Sequence, residues 1–382
     1  MQTLSINRDL ISWALARSGR SVESLARKFP KLSQWESCDT QPTLKQLEAF
    51  AQTTWTPLGY FFLPEPPQET LPIPDFRTVS DHPLGNPSPN LLDTLHTMQR
   101  RQGWMRDYQL DRGCEPLPFI ASAKQGDAPA AIAQKIRQVI GVNAGWASHH
   151  GSWSDALRHL RELIEKAGIL VSINGVVGND NKRKLDVGEF RGFVLADEYA
   201  PLIFVNGADA QSAQMFTLAH ELAHLWLGES ALFNLPVLTP SDFSIEQVCN
   251  RVAAEFLLPE NEFAAYWPKA IKQAEPFQAL ARHFKVSSLA AARRAQDLRL
   301  IGREDFLSFY RAYQEDDRRK PTPSSGGNFY STQNTRVGKR FMRAVALAAK
   351  EGRLLYRDAY RLTGLSGTTF DKYAEKLGMG AA

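Results

Sequence analysis

The segment His220-Glu221-Leu222-Ala223-His224 constrains the fold of this chain more tightly than any other. It lies in a helix-like run from Ala213 to Leu227, and residues four apart project from one helix face. Two imidazoles so placed can bind one Zn²⁺, with Mn²⁺ as the alternative ion. The carboxylate between them, Glu221, can take a proton from a water that the ion activates. Met215, Leu218, Leu222, Leu225 and Trp226 form an apolar stripe at helical spacing, while Thr217, His220, Glu221 and His224 fall on another face. One side of the helix is therefore expected to be buried and the other to offer the histidines. Gly228, just past the last periodic residue, suits a C-terminal cap. The bland reading of the same residues is a pair of core histidines on an amphipathic helix.

A catalytic zinc with one open position needs a third protein ligand. The next apolar helical run, Val248 to Leu258, ends at Pro259, with Glu246 just upstream and Glu255 near its end. Glu246 follows His224 by 22 residues, enough chain for a loop and a returning helix. Glu246 is the favoured third ligand, with Asn250 four residues on as the polar group that orients its carboxylate. Glu255 reads as an exposed surface carboxylate. Upstream, Arg191 to Ala196 and Leu202 to Asn206 read as two short strands joined by a turn at Asp197 to Pro201. Such a pair is either a plain structural hairpin or an edge that holds an extended peptide by strand addition.

These residues resemble the ImmA/IrrE-type zinc metallopeptidases of bacteria and phage. The resemblance rests on Phe190-Arg191-Gly192-Phe193-Val194, Pro201-Leu202-Ile203-Phe204-Val205-Asn206, Phe216 to His224, and Glu246 to Pro259. The last segment carries Cys249 and Val252 where the family pattern has Ala and Phe. The resemblance covers residues 150 to 300 most strongly. It implies zinc held by His220, His224 and Glu246, with Glu221 as general base. The fold it implies is α+β: a zincin-like core, with a small sheet and the His220–His224 helix, flanked by helical, helix-turn-helix-like modules. The expected activity is that of a zinc-dependent endopeptidase cleaving a helix-turn-helix repressor or the product of a neighbouring gene.

Eight of the 22 prolines fall between residues 64 and 90, which marks an extended linker. Glu315 to Asn328, with Pro-Thr-Pro-Ser-Ser-Gly-Gly, marks a second. The chain is thus expected to divide into a helical module (1–63), the linker (64–90), a peptidase body (91–315) and a basic helical module (329–382). Residues 1–63 resemble the XRE-type helix-turn-helix of phage repressors, through helices at Leu10 to Arg17 and Val22 to Phe29, Trp35-Glu36, and Pro42 to Leu47. Trp35 is only nine positions after Ala26, four fewer than the pattern carries, where the turn and recognition helix belong. Helix-turn-helix frames also fit Ala281, Val286-Ser287 and Ala291, and Gly364-Leu365-Ser366 with Phe370. Pro74-Asp75-Phe76-Arg77-Thr78 and the run Met98 to Tyr108 resemble the subgroup in which the two modules are fused. That subgroup often neighbours a PIN-like ribonuclease toxin. The alternative function is therefore a DNA- and protein-binding regulator, or antitoxin, with a structural or conditional peptidase site.

The net charge of +4 does not by itself argue for nucleic acid. From Arg336 onward, however, ten Lys/Arg face four acids, and Arg282 to Arg303 holds six basic residues and one acid, Asp297. Each stretch is either a DNA-phosphate-facing surface or a solvated helix face. His149 and His150 are expected at the surface rather than in the site. Cys38, Cys114 and Cys249 lack CxxC spacing and read as reduced thiols. No apolar run reaches membrane-span length and the N-terminus lacks a signal-peptide core, so no membrane partner and a cytoplasmic location are expected.

Overall fold

Three polar side chains start the first helices by accepting hydrogen bonds from orphan backbone N–H groups. Asn7 Oδ1 accepts from Asp9 N at 3.0 Å, Ser21 Oγ from Ser24 N at 3.2 Å, and Thr43 Oγ1 from Gln46 N at 3.4 Å. Helices α1 (Arg8–Ser18), α2 (Val22–Leu25), α3 (Leu32–Glu36) and α4 (Leu44–Thr53), with a 3₁₀ turn at Leu58–Phe62, close around Leu10, Ile11, Leu32, Trp35, Leu47 and Phe50. The second helix stops at Leu25, short of the expected Phe29, and the N–H groups of Lys28 and Phe29 both return to the Leu25 carbonyl in a turn. The helix that follows it has only five residues.

The protein is described here by a computed structural model covering residues 3–73, 87–233, 244–315 and 329–378. The motif at Pro74 to Thr78 and most of the second linker lie outside these residues. Within residues 64–73 there is neither helix nor strand, and Glu69 there is tied to Arg17 at 2.5 Å. The described residues form two compact units, the first running to Pro72 and resuming to Leu95 on helix α5 (Pro89–Asp111), the second taking Ile73 and the chain from His96 onward.

In the second unit, α6 (Pro129–Ile140) and α7 (Trp153–Lys166) precede the strands β1 (Leu170–Asn174), β2 (Val176–Val177), β3 (Asp180–Lys184), β4 (Gly192–Leu195) and β5 (Leu202–Asn206). Then come α8 (Gln211–Leu227) and β6 (Ala231–Phe233). The chain continues through α9 (Ser244–Leu257), α10 (Glu260–Ala270), α11 (Pro276–Phe284), α12 (Ser288–Asp297) and α13 (Arg303–Glu315). It ends in α14 (Phe329–Arg336), α15 (Lys339–Lys350), α16 (Tyr356–Thr363) and α17 (Gly367–Lys376). The fold is thus α+β, with a zincin-like core and flanking helical modules.

Strands β1, β4 and β5 are buried at every position, which is why β4 and residues 202–205 of β5 read as unbroken apolar runs rather than as alternating ones. The sheet order is β1-β5-β4-β6, with β1 parallel to β5 and the other pairs antiparallel. The β4–β5 hairpin is therefore interior. The expectation that it offers an edge for a peptide is corrected: β6 occupies the outer side of β4, pairing Leu232 with Phe193. One face of the sheet, through Val171, Ile173, Val194, Ile203 and Val205, feeds the core in which α8 packs against β4, β5, α6, α7 and α9.

The segment beyond residue 328 is built into this same unit. Buried Arg161 on α7 donates to the Asn334 carbonyl at 2.7 Å, and Ser172 on β1 to that of Arg336 at 2.8 Å. Buried Arg101 on α5 donates to the carbonyls of Leu362 and Arg336 at 2.8 and 2.9 Å. Two of the expected helix–turn–helix frames exist as helix pairs. Lys285, with φ +57°, joins α11 to α12, and Gly364, with φ +72°, joins α16 to α17, burying Val286 and Phe370 respectively.

Candidate metal centre

Helix α8 ends where Gly228, at φ +77°, turns its N–H back to the carbonyls of His224 and Leu225. One side of this helix was expected to be buried and the other to offer the histidines. Instead every residue from Thr217 to Trp226 is buried, because the sheet covers one side and α6, α7 and α9 the rest. Burying two imidazoles and a carboxylate in this way is costly unless each finds a partner.

His220 and His224 turn their Nε2 atoms to within 3.1 Å of each other. Helix α9 crosses them and sets Glu246 opposite, with Oε2 3.1 Å from His220 Nε2 and Oε1 3.1 Å from His224 Nε2. Glu246 lies in the first turn of α9 rather than ahead of it. Burial alone would raise its carboxyl, but the hydrogen bonds and charges of the two histidines outweigh that and hold it at about 2. Burial pushes His220 below the ordinary histidine value, which favours the neutral ring a metal requires.

Asn250, one turn further along α9, places Oδ1 3.1 Å from His220 Nδ1. It was expected to orient the carboxylate and orients the imidazole instead. With Nδ1 donating to Asn250, the His220 Nε2 lone pair points at the shared centre. Glu255 is not the exposed carboxylate expected of it. It is half-buried and ion-paired to Arg294, whose Nε also donates to the Leu258 carbonyl at 2.9 Å.

Glu221 is fully buried, and neither of its carboxylate oxygens has a hydrogen-bond donor among the described residues. Burial first, and the Glu246 charge second, drive its carboxyl well above the ordinary carboxylate range. It lies against the bare backbone of Gly192 on β4: a Cβ there would fall 3.2 Å from Glu221 Oε1, 2.8 Å from the Phe204 carbonyl and 2.5 Å from Thr217 Cγ2.

Sequence reasoning passed over Cys249, because cysteine was weighed only for CxxC spacing. It lies one turn after Glu246 on α9, fully buried, with its sulfur and one ring nitrogen from each of His220 and His224 all within 4.8 Å of one another.

The donor set fits a small divalent ion. Bonds of about 2.0–2.1 Å in a tetrahedron separate the donors by roughly 3.3 Å, close to the 3.1 Å contacts seen here. An uncompensated buried carboxylate beside those donors is likewise what a nearby cation would relieve.

The other candidates lie elsewhere. His149 is exposed and His150 stacks near His159, their ring centroids 4.8 Å apart, beside Trp146. Much of the basic charge is used internally. Arg294 holds Glu255, Arg293 pairs with Asp297 at 3.1 Å, Lys339 with Glu162 at 2.7 Å, and Arg336 donates to Asn179 at 3.1 Å. Arg353 pairs with Glu351 at 3.5 Å and Arg357 and Arg361 with Asp358 at 3.7 and 3.9 Å, but all three keep exposed side chains.

A buried His–His–Glu cluster on two crossing helices, beside a small mixed sheet, defines a metallopeptidase type of domain. In agreement, residues 164–296 match the family model of M78 peptidases described as the IrrE N-terminal-like domain, which supports a peptidase of the ImmA/IrrE kind. Residues 337–376 match a domain of unknown function, DUF8813. No curated protein and no solved structure matches the chain. Among the described residues, no helix is long and apolar enough to cross a membrane.

Proposed function

We propose that this protein is a zinc-dependent endopeptidase that cleaves a bacterial regulatory protein of the repressor type, Mn²⁺ being the alternative ion. The observation that carries this reading is the convergence of His220, His224 and Glu246 at 3.1 Å beside the unpartnered Glu221 carboxylate. His220, His224 and Glu246 hold the ion, and Asn250 fixes the His220 ring. A divalent ion bound there supplies Lewis acidity to a water and to the scissile carbonyl. Glu221 accepts the water's proton and hands it to the leaving amine. Its environment without the ion holds that carboxyl high, so a cation close by is what makes it an available base at neutral pH. The test is incubation of the full chain and Zn²⁺ or Mn²⁺ with the neighbouring gene's product, read by intact mass. Two fragments whose masses sum to the substrate plus one water support the reading; an unchanged mass with both ions counts against it.

The ligand assignment has its own test. Glu246→Ala is expected to weaken zinc binding by well over the roughly 10–100-fold that supporting residues command. Glu255→Ala, which breaks the Arg294 pair, is expected to lower thermal stability and leave zinc affinity within that lesser range. Equilibrium zinc titration giving the reverse order removes Glu246 from the centre.

Complete burial of Glu221 favours a second reading, in which the site is conditional and the protein acts as a DNA- and protein-binding regulator or antitoxin. The exposed Arg353, Arg357 and Arg361 are the residues through which that role would reach phosphate.

A further inference from the structure

We infer that Cys249 is a fourth protein donor to the same ion, so that the resting centre is a closed His–His–Glu–Cys site. The inference rests on the metal-centre reading above and deepens it. Three features point the same way. Cys249 follows Glu246 by three residues on α9, so the two side chains share one helix face. Its sulfur and one ring nitrogen from each histidine lie within a 4.8 Å span. A tetrahedral ion with a sulfur bond of about 2.3 Å and nitrogen bonds of about 2.0–2.1 Å separates those donors by roughly 3.6 Å. The span seen here exceeds that separation by about 1.2 Å, which the Cys249 side chain must close as the ion enters. Glu221, between the two histidines on α8, carries a buried carboxylate without a hydrogen-bond donor among the described residues, a group that a nearby cation would compensate. A buried cysteine with no such neighbours would be an inert core residue.

The chemistry follows from coordination number. Structural zinc sites are closed by four protein ligands, whereas catalytic sites keep one position for water or substrate. Cys249 loses its S–H proton to solvent as the ion enters, and its thiolate takes the open position. Hydrolysis then requires the sulfur to move off the ion, which makes the centre latent rather than absent. A fully buried Glu221 agrees with a resting state that excludes water.

Cobalt reports the ligands directly. The full chain is prepared with Cys38→Ser and Cys114→Ser, both exposed positions, so that only Cys249 can bind as a thiolate. Co²⁺ is expected to give the visible bands of a four-coordinate site and a sulfur-to-cobalt charge-transfer band in the near-ultraviolet. Cys249→Ala and Cys249→Ser in the same background are expected to keep the visible bands and lose the near-ultraviolet one. The retained visible bands show that both variants fold around the ion. Zinc affinity, measured by competition with a chromophoric chelator, is expected to fall at least tenfold in both. Visible bands without a charge-transfer band in the parent, or unchanged zinc affinity in both variants, overturn the inference and leave the His–His–Glu centre standing. No uptake of cobalt by the parent overturns both.

Discussion

Glu221→Gln is expected to keep its ion and to lose about 10²–10⁴-fold in hydrolysis, the usual contribution of a positioned general base. Gln has the same shape and cannot accept the water's proton in the same way. The change removes no hydrogen bond, since neither Glu221 oxygen has a donor among the described residues. Without the ion, burial and the Glu246 charge favour the uncharged form of the Glu221 carboxyl, so an uncharged Gln there is expected to leave the melting temperature of the ion-free protein unchanged. Metal analysis after gel filtration, a thermal melt and the mass-based cleavage assay together check it. Loss of bound metal in this variant would identify Glu221 as a ligand. Unchanged turnover would remove it from the chemistry.

Truncation after residue 328 is expected to unfold the peptidase body or to lower its melting temperature drastically. Arg101 and Arg161 are buried cations whose acceptors are the carbonyls of Leu362, Arg336 and Asn334. A hydrogen bond to a charged group contributes about 1.5–3 kcal/mol, so three of them approach the 5–15 kcal/mol that stabilises a typical domain. Hydration of the freed arginines returns part of this. The loss of buried Phe341, Met342 and Val345 adds to the cost. Circular dichroism and a calorimetric melt of the truncated chain decide the matter. A cooperative melt within a few degrees of the parent's would show the segment to be an independent appendage. It follows that any role of these residues in DNA binding is better probed by substituting exposed Arg353, Arg357 and Arg361 than by deletion.

The sequence carried the helix of the histidine pair well. Its apolar stripe and Gly228 bounded it to within two residues of the observed α8. The strands expected at Arg191 to Ala196 and Leu202 to Asn206 likewise cover the observed β4 and β5. Spacing alone could bring Glu246 into the neighbourhood, but its distance to the histidines depends on how α9 crosses α8. The same crossing decides that Asn250 meets an imidazole and Cys249 faces the cluster, and no local pattern encodes it. β6 has only three residues and follows the helix closely, too short for a periodic signal. The docking of residues 329–378 was hidden for a different reason. A linker rich in Pro, Ser and Gly says that chain passes between two segments and nothing about whether they meet afterwards. Buried Arg101 and Arg161, which make that docking visible, look like ordinary surface cations in sequence.

Gly192 acts as a gauge between sheet and helix. At this point the gap between β4 and α8 is the width of a bare main chain, with Thr217 Cγ2 and the Phe204 carbonyl already where a methyl group would go. Any side chain there must lever α8 away from the strand and carry Glu221 with it. The base would then shift relative to His220 and His224 on the same helix only by tilting all three, so the error reaches Glu246 on α9 as well. A lineage that drifted at this one position could keep every proposed ligand and still misalign the whole set. This one missing side chain thus holds the register of the chemistry.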